Sequence, residues 1–451
     1  MLIPSGQARA RRLVRILGIL FAASAIASAA AAQTTSQIPL QFDFLTPGAR
    51  SMAMGGAFVG AADDTTAAFT NPAGLGFLSR RQISGEVRFR QFTTPFLAGG
   101  RISGLVTGRG LDVIPTPIYL TDEDTSVSPA FFSFMLPLQR GVLTVYAHDM
   151  VRIENTFLSS GVFERFTFGG VTDDNGRETP VGGTRRVNVA VGGATFAHTF
   201  LDDRVALGAG ISVGHLNLDA SFTRFGFESL FGPVRTDVKI ATATQESGDF
   251  SAGWNAGILV KAPKRVKIGA TFRKNPGFHF TQEDRVFDAN EDLVREGRFK
   301  VPDVFGTGAE WQIGESLRVL ADYDFVRYSQ LKRDYIDFQA ISSGRQAQIE
   351  LNDGHEWHTG VEYSLNRMDH APLLFRGGLW RDPDHAPRYV STPQHDELDV
   401  LLGATLPGGS DLMHYTFGGG VAFLNGVEMD AALDHSERTT YVTFSVVVTL
   451  R

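Results

Sequence analysis

The chain has 451 residues, a formal net charge of -7, 49 glycines, 35 phenylalanines and no cysteine. Without cysteine there is no disulfide framework, thiolate nucleophile or cysteine-based metal site, and the acidic balance speaks against a nucleic-acid partner. Beyond the first 32 residues no apolar run approaches the roughly 18 residues of a spanning helix, which excludes a helical membrane protein.

In chain order, Arg9, Arg11, Arg12 and Arg15 precede an apolar run from Ile16 to about Ala29, which closes on Ala30, Ala31 and Ala32. This is the three-part layout of a secretory signal peptide, so residues 1–32 are expected to direct export and to be cleaved near Ala32. A membrane anchor would need a longer run, about 20 residues, and a charged stop. Removal takes four arginines and no acid, and moves the formal charge from -7 to about -11. Residues 33–81 are rich in Gly and Ala and show no clean alternation. Phe42, Phe44, Met52, Met54, Phe58 and Phe69 need an apolar place to pack, and a barrel lumen can hold them as a plug; a periplasmic tail is the alternative.

From residue 82 to 451 the dominant period is two. In Thr440–Arg451, Val442, Phe444, Val446, Val448 and Leu450 share one face, while Tyr441, Thr443, Ser445 and Thr449 share the other. Val266, Ile268, Ala270 and Phe272 alternate with Arg265, Lys267, Gly269, Thr271 and Arg273 in the same way. A lipid-facing row and a lumen-facing row read like this, although periodicity alone also admits a sandwich or propeller. About 14 strands are predicted, from Gln82–Thr93 to Thr439–Arg451. The connectors alternate. Short ones fall at Gln139-Arg140, Leu201–Asp203, Pro263-Lys264, Gly314-Glu315, Arg367–Pro372 and Asn425-Gly426. Long ones fall at Thr94–Pro129, Thr156–Arg185, Phe227–Ser247, Gly277–Val301, Leu331–Gly354 and Pro383–Tyr415. Short periplasmic turns and long extracellular loops mark an outer-membrane barrel. The expected fold is therefore an all-β transmembrane antiparallel β-barrel with an N-terminal plug in its lumen.

Within residues 33–81 stand Gly48-Ala49-Arg50-Ser51-Met52-Ala53-Met54-Gly55-Gly56-Ala57-Phe58-Val59 and Ala62-Asp63-Asp64-Thr65-Thr66-Ala67-Ala68-Phe69-Thr70-Asn71-Pro72-Ala73-Gly74-Leu75. Asp63 or Asp64 can cap a short helix through Thr70. Asn71-Pro72 ends it, and Gly74 permits a positive-φ turn. This string resembles the N-terminal hatch of the FadL/TodX family of outer-membrane hydrophobic-compound transport proteins. Ser316–Leu331 and Phe375–Pro383 resemble later strands of the same family. The resemblance implies passive transport: a lipophile such as a long-chain fatty acid is captured among the outer loops, passes to an apolar pocket beside the hatch, and leaves through an opening in the barrel wall. Phe58, Phe69, Asn71, Pro72 and Ala73 would form the gating region. A monomer in contact with outer-membrane lipid and lipopolysaccharide is expected, since nothing in the sequence demands a trimer. A PorV-like relative that docks exported proteins for a secretion system shares the hatch string and is the alternative; an open porin conflicts with a plug.

The remaining constellations point to no chemistry. His355 and His358 in His355-Glu356-Trp357-His358 are three apart, so on a strand they face opposite ways and do not form a zincin pair. Asp382, Asp384 and His385, with His395, Asp396, Glu397 and Asp399, read as a solvated acidic loop rather than a cation site. Arg265, Lys267 and Arg273 read as lining a wet lumen, with an anionic ligand head group as the alternative partner. No nucleophile motif is present, so neither an enzyme nor a cofactor is expected.

Overall fold

The computed structural model describes residues 46–168, 170–287, 291–332, 335, 348–367, 370–391, 393, 396–423 and 426–450. The expected signal peptide, Phe42, Phe44 and His395 lie outside the described residues. In chain order the strands are β1 (Gln82–Gly100), β2 (Pro117–Leu138), β3 (Gly141–Ser159), β4 (Phe163–Phe168), β5 (Val171–Arg177), β6 (Val181–Phe200) and β7 (Val205–Phe227). Next come β8 (Val234–Ser247), β9 (Phe250–Ala262), β10 (Val266–Lys274), β11 (Gly277–Val286), β12 (Glu291–Lys300), β13 (Val304–Ile313) and β14 (Leu317–Val326). The last are β15 (Ile349–Glu350), β16 (Gly354–Arg367), β17 (His370–Asp382), β18 (Arg388–Tyr389), β19 (Leu412–Ala422), β20 (Val427–His435) and β21 (Thr439–Thr449).

Fourteen of these strands close a barrel in the order β1-β2-β3-β6-β7-β9-β10-β13-β14-β16-β17-β19-β20-β21. The ring is sealed by antiparallel pairing of β21 with β1, from Gln82–Thr449 to Phe92–Thr439. Closure leaves no unpaired sheet edge, the condition for a β-structure to sit in lipid. No described helix is long and apolar enough to cross a membrane, which says nothing about crossing by strands.

The sidedness excludes a soluble sandwich. On β21 the polar Thr443 and Ser445 point inward and are buried, whereas Phe444 is 60% exposed. On β10, Thr271 is buried and Ile268 is exposed. Ile211, Phe132, Trp357 and Phe417 are likewise exposed on the outer face. An apolar outside around a polar inside is the reverse of a water-soluble core and suits a hydrocarbon surround.

One side of the barrel is tall. Strands β1, β2, β3, β6 and β7 run 19 to 23 residues, about twice what crosses a bilayer. The expectation of long loops at Phe227–Ser247 and Gly277–Val301 is corrected here: β8, β11 and β12 continue the ladder outward from β7, β9, β10 and β13. Thr94–Pro129 likewise consists partly of β1 and β2, and Thr156–Arg185 carries the β4–β5 hairpin. These stretches alternate without an apolar outer row, because they stand above the hydrocarbon. That is why they read as loops.

Candidate functional site

Residues 46–78 pack against inward-facing groups of the barrel wall as a helix Ala49–Ala53, a helix Ala67–Thr70 and a 3-10 turn Pro72–Phe77. Such short pieces do not hold together alone; inward-facing wall groups hold them. The Gly48 amide donates to Glu86 (2.6 Å), Gly55 to the Thr416 hydroxyl (2.9 Å), and Val59 to Asp322 (2.6 Å). The His358 Nδ1 donates to the Gly55 carbonyl (2.7 Å), and Asn255 donates to the Ala68 carbonyl (2.9 Å). Glycine on the wall makes this approach possible. A Cβ at Gly208, Gly269, Gly360 or Gly378 would collide with the backbone of Pro72, Val59, Met54 or Gly55 respectively. Part of the high glycine content therefore reflects close seating of this segment.

Asn71, fully buried, is the central fastener. Its amide donates to the Val59 carbonyl (2.9 Å) and to the wall carbonyl of Ile258 (3.2 Å), while its Oδ1 accepts from Ala73 N (3.2 Å). Asn71 is extended, as expected before Pro72, which starts the 3-10 turn carrying Ala73. Gly74 differs from expectation. Its φ is not positive; glycine is required because a Cβ would strike the Ala62 carbonyl. The expected cap is corrected: Thr66 is the N-cap of helix Ala67–Thr70 and makes no side-chain cap, while Asp64 accepts from the Thr66 amide (2.8 Å) in the turn before it.

Asp63 does something else. It accepts from Arg50 (2.7 Å) and Arg318 (2.7 Å), and Arg50 reaches on to Glu362 (3.1 Å). Glu362 also holds Arg376 (2.6 Å), which binds Asp430 (2.5 Å), and Lys267 binds Glu310 (3.1 Å). This network lies near the short-turn end of the lumen and links the segment, directly or through other side chains, to six wall strands, β10, β13, β14, β16, β17 and β20. Sequence reasoning missed it. The available signal was the row of charges at inward positions, of which Lys267 was read as facing water. Arg265 is also corrected: it sits at a turn, donating to the Gly314 carbonyl (2.6 Å).

Above the network, Phe69 and Phe58 part company. Phe58 packs with Met54, Ala57, Ala61 and Leu320. Phe69 belongs to the main apolar cluster of the upper lumen, which includes Phe131, Tyr146, Phe157, Phe222, Phe280 and Phe299. Phe69 meets His148 at 4.5 Å and Tyr146 edge-on at 6.2 Å. Arg273, also expected in a wet lumen, lies over the Phe69 ring at 4.2 Å. A cation against a desolvated aromatic face is stabilising and fixes the ring. The upper lumen therefore holds an apolar tract with Phe69 as its floor.

Beside this tract the wall ladder is interrupted. Strands β9 and β10 pair up to Trp254–Lys274, and β8 and β11 resume at Glu246–Thr281. Between them, 247–253 and 275–280 share no described backbone ladder, and Pro276 has no N–H to offer one. Side chains bridge the seam instead: Asp249 accepts from His279 N (2.8 Å), and the Ser247 hydroxyl donates to the His279 carbonyl (2.5 Å). The exposed Phe250 and Trp254 mark its lower end.

The outer loops close over the tract. Arg101 and Asp112 form a buried bidentate pair (2.9 and 2.5 Å), and Arg101 also donates to the Asp174 carbonyl. Helix Glu397–Thr405 is capped by Asp396 and packs Leu401 against Leu97 and Val162. The acidic loop is thus not a solvated run: Asp382, His385 and Asp399 are buried, and Asp399 accepts from Tyr389 (2.5 Å). On the β4–β5 hairpin, burial first, then Glu178 and Glu397, push Glu164 up to about 8, from an ordinary 4.5. The folded loops thus hold a proton that the unfolded chain releases. Their stability is full below 4.5 and falls as pH rises through the window up to 8. Limited trypsin cleavage in 163–178 should be faster at about pH 8.5 than at about pH 6, and Glu164→Gln should remove the excess over a reference substrate. Equal corrected rates in the wild type would contradict this.

Solved structures share this fold. The chain is similar to a Pseudomonas aeruginosa FadL homologue (TM-score 0.59, 13% identity, covering 91% of this chain and 99% of that one). It is similar to the P. putida toluene transporter TodX (TM-score 0.56, 14% identity, 91% and 100% covered). At these identities the likeness establishes the fold alone. Outer membrane protein P1 of Haemophilus influenzae is 21% identical over 257 residues, 54% of this chain and 55% of that protein, so the match spans about half the length of this relative. The model of the family described as outer membrane protein transport protein (OMPP1/FadL/TodX) matches residues 185–437, more than half of the chain, and the protein belongs to that family.

Proposed function

We propose that this outer-membrane protein takes up hydrophobic compounds passively, long-chain fatty acids or similar lipophiles, as a monomer and without covalent chemistry. The observation that carries the reading is the apolar tract in the upper lumen, floored by Phe69 and closed by the outer loops. Lipopolysaccharide is a barrier to greasy solutes, and an apolar tract stabilises one by about 25 cal/mol per Å² removed from water. Family membership supports the reading, as do the fold relatives named as a toluene transporter and a monoaromatic hydrocarbon channel.

In this reading residues 33–81 are the hatch, with Phe58, Phe69, Asn71, Pro72 and Ala73 as its gating region, and the β9–β10 seam is the lateral exit. Labelled oleate and toluene, given to cells that lack other transporters, test both parts. At least one should enter faster than in cells without the protein; equal entry of both would overturn the function. An Asp249→Cys/His279→Cys pair bridges side chains that approach to 3.4 Å, in a chain with no other cysteine. Oxidation should drop uptake to background and reductant should restore it. Uptake that persists with the disulfide formed would remove the seam from the route.

A further inference from the structure

The His355-Glu356-Trp357-His358 stretch, set aside as a zincin pair, has a second geometry. Glu356 and His358 are two apart on β16, so both point inward. Antiparallel register puts Asp324 of β14 directly opposite Glu356. One ligand atom from each of Asp324, Glu356 and His358 lies within 4.8 Å of the other two. They share a cavity of about 20 Å³ with Gly55, Arg273 and Trp380, beside the floor of the tract.

We propose that Asp324, Glu356 and His358 form a binding site for one divalent transition-metal ion of the zinc type. The hydrogen bonding prepares them for it. The Gly55 carbonyl can only accept, so His358 Nδ1 carries a proton and Nε2 is the ring nitrogen left to face the cavity as a ligand. A ligating histidine characteristically donates its other N–H to a carbonyl in this way. Glu356 Oε1 accepts from the Tyr328 hydroxyl (3.0 Å), which turns Oε2 toward His358. His358 is 7% exposed, and its Nε2 has no hydrogen-bond partner among the described residues; neither has Asp324 Oδ1.

The spacing fits. The Nε2–Oε2 separation is 3.6 Å, too long for a hydrogen bond. Two ligands each about 2.1 Å from a tetrahedral ion stand about 3.4 Å apart. One imidazole and two carboxylates suit zinc and its neighbours better than calcium, which takes six or more oxygens. The cavity holds about one water, enough for a fourth ligand. Arg273 is the opposing cation in the wall, but its guanidinium is turned onto the Phe69 ring and carbonyl. A bound ion would join β14, β16 and, through His358, the backbone of the N-terminal segment at Gly55.

This does not depend on the uptake reading, and its test does not measure uptake. The whole protein, refolded with Zn2+ and passed through a chelator wash, should retain one zinc per chain by elemental analysis. Loaded with Co2+, it should show the visible absorption of a four-coordinate site. Asp324→Asn/Glu356→Gln preserves shape and should weaken Zn2+ binding by about 10–100-fold or more. His358→Gln should do the same, while Glu154→Gln, an exposed carboxylate on β3, should not. Folding of each variant is checked by heat-modifiable migration. Failure of the wild type to retain zinc or show the cobalt band overturns the proposal, whatever the variants do. So does retention by a folded Asp324→Asn/Glu356→Gln chain.

Discussion

Replacing Arg50 by alanine should open the barrel to ions. Arg50 is the one guanidinium that the N-terminal segment inserts into the network, and its side chain is 10% exposed. It stands 2.7 Å from Asp63, 3.1 Å from Glu362 and 3.8 Å from Asp64. Removal leaves three carboxylates facing one another in a confined space. Breaking one partner of a buried pair costs about 3–5 kcal/mol, because the remaining charge is left without compensation. Arg318 and Arg376 relieve part of this for Asp63 and Glu362, which places the effect at the lower end. That energy falls on the seating of a segment with little cohesion of its own, since its helices are five and four residues long. The wall should survive, because its backbone ladder closes without the segment. In planar bilayers the wild type should be nearly silent and Arg50→Ala should show open events. Arg50→Lys should be intermediate, as an ammonium cannot make the forked contacts to Asp63 and Glu362 together. A variant as silent as the wild type, with native heat-modifiable migration, would show that the network does not hold the segment.

The barrel was legible in the sequence because a strand in lipid writes its environment at every second residue. Val442, Phe444 and Val446 against Tyr441, Thr443 and Ser445 suffice to orient β21, and the structure follows that orientation. Where the lipid ends, the writing stops: β8, β11 and β12 pair in antiparallel ladders but present no continuous apolar outer row. The lumen was legible only in part. Asn71-Pro72 announces a helix stop through local backbone preference, and the structure has that stop. Arg50 announces nothing, because its partner Glu362 is 312 positions away and only register brings them together. The same limit applied to His358. Its relation to His355 could be read from spacing, but its relation to Asp324 required the β14–β16 register. Gly74 failed for another reason. Glycine serves positive φ and close approach alike, and a sequence does not say which.

Phe157→Ser/Phe222→Ser should have the opposite signature to Arg50→Ala, abolishing uptake without opening the channel. Both rings are buried in the tract, 6.2 Å apart between centroids, and Phe157 also meets Phe96 at 5.7 Å. Neither contacts the Arg50 network, so the segment below stays seated. A serine at each position puts a hydroxyl, and the water it attracts, where a lipophile would lie. Burying a phenylalanine-sized apolar surface is worth roughly 1.5–3 kcal/mol, so losing two such surfaces should weaken ligand binding by about 100-fold or more. The barrel itself should lose stability as well, about 3–5 kcal/mol for each ring in a packed core. Phe157→Leu/Phe222→Leu is therefore the necessary companion, since it keeps the tract apolar while changing its shape. If uptake tracks polarity, the leucine pair retains most of it and the serine pair none, at equal amounts of folded barrel. If both pairs transport like the wild type, the tract is structural packing, and the ligand travels elsewhere.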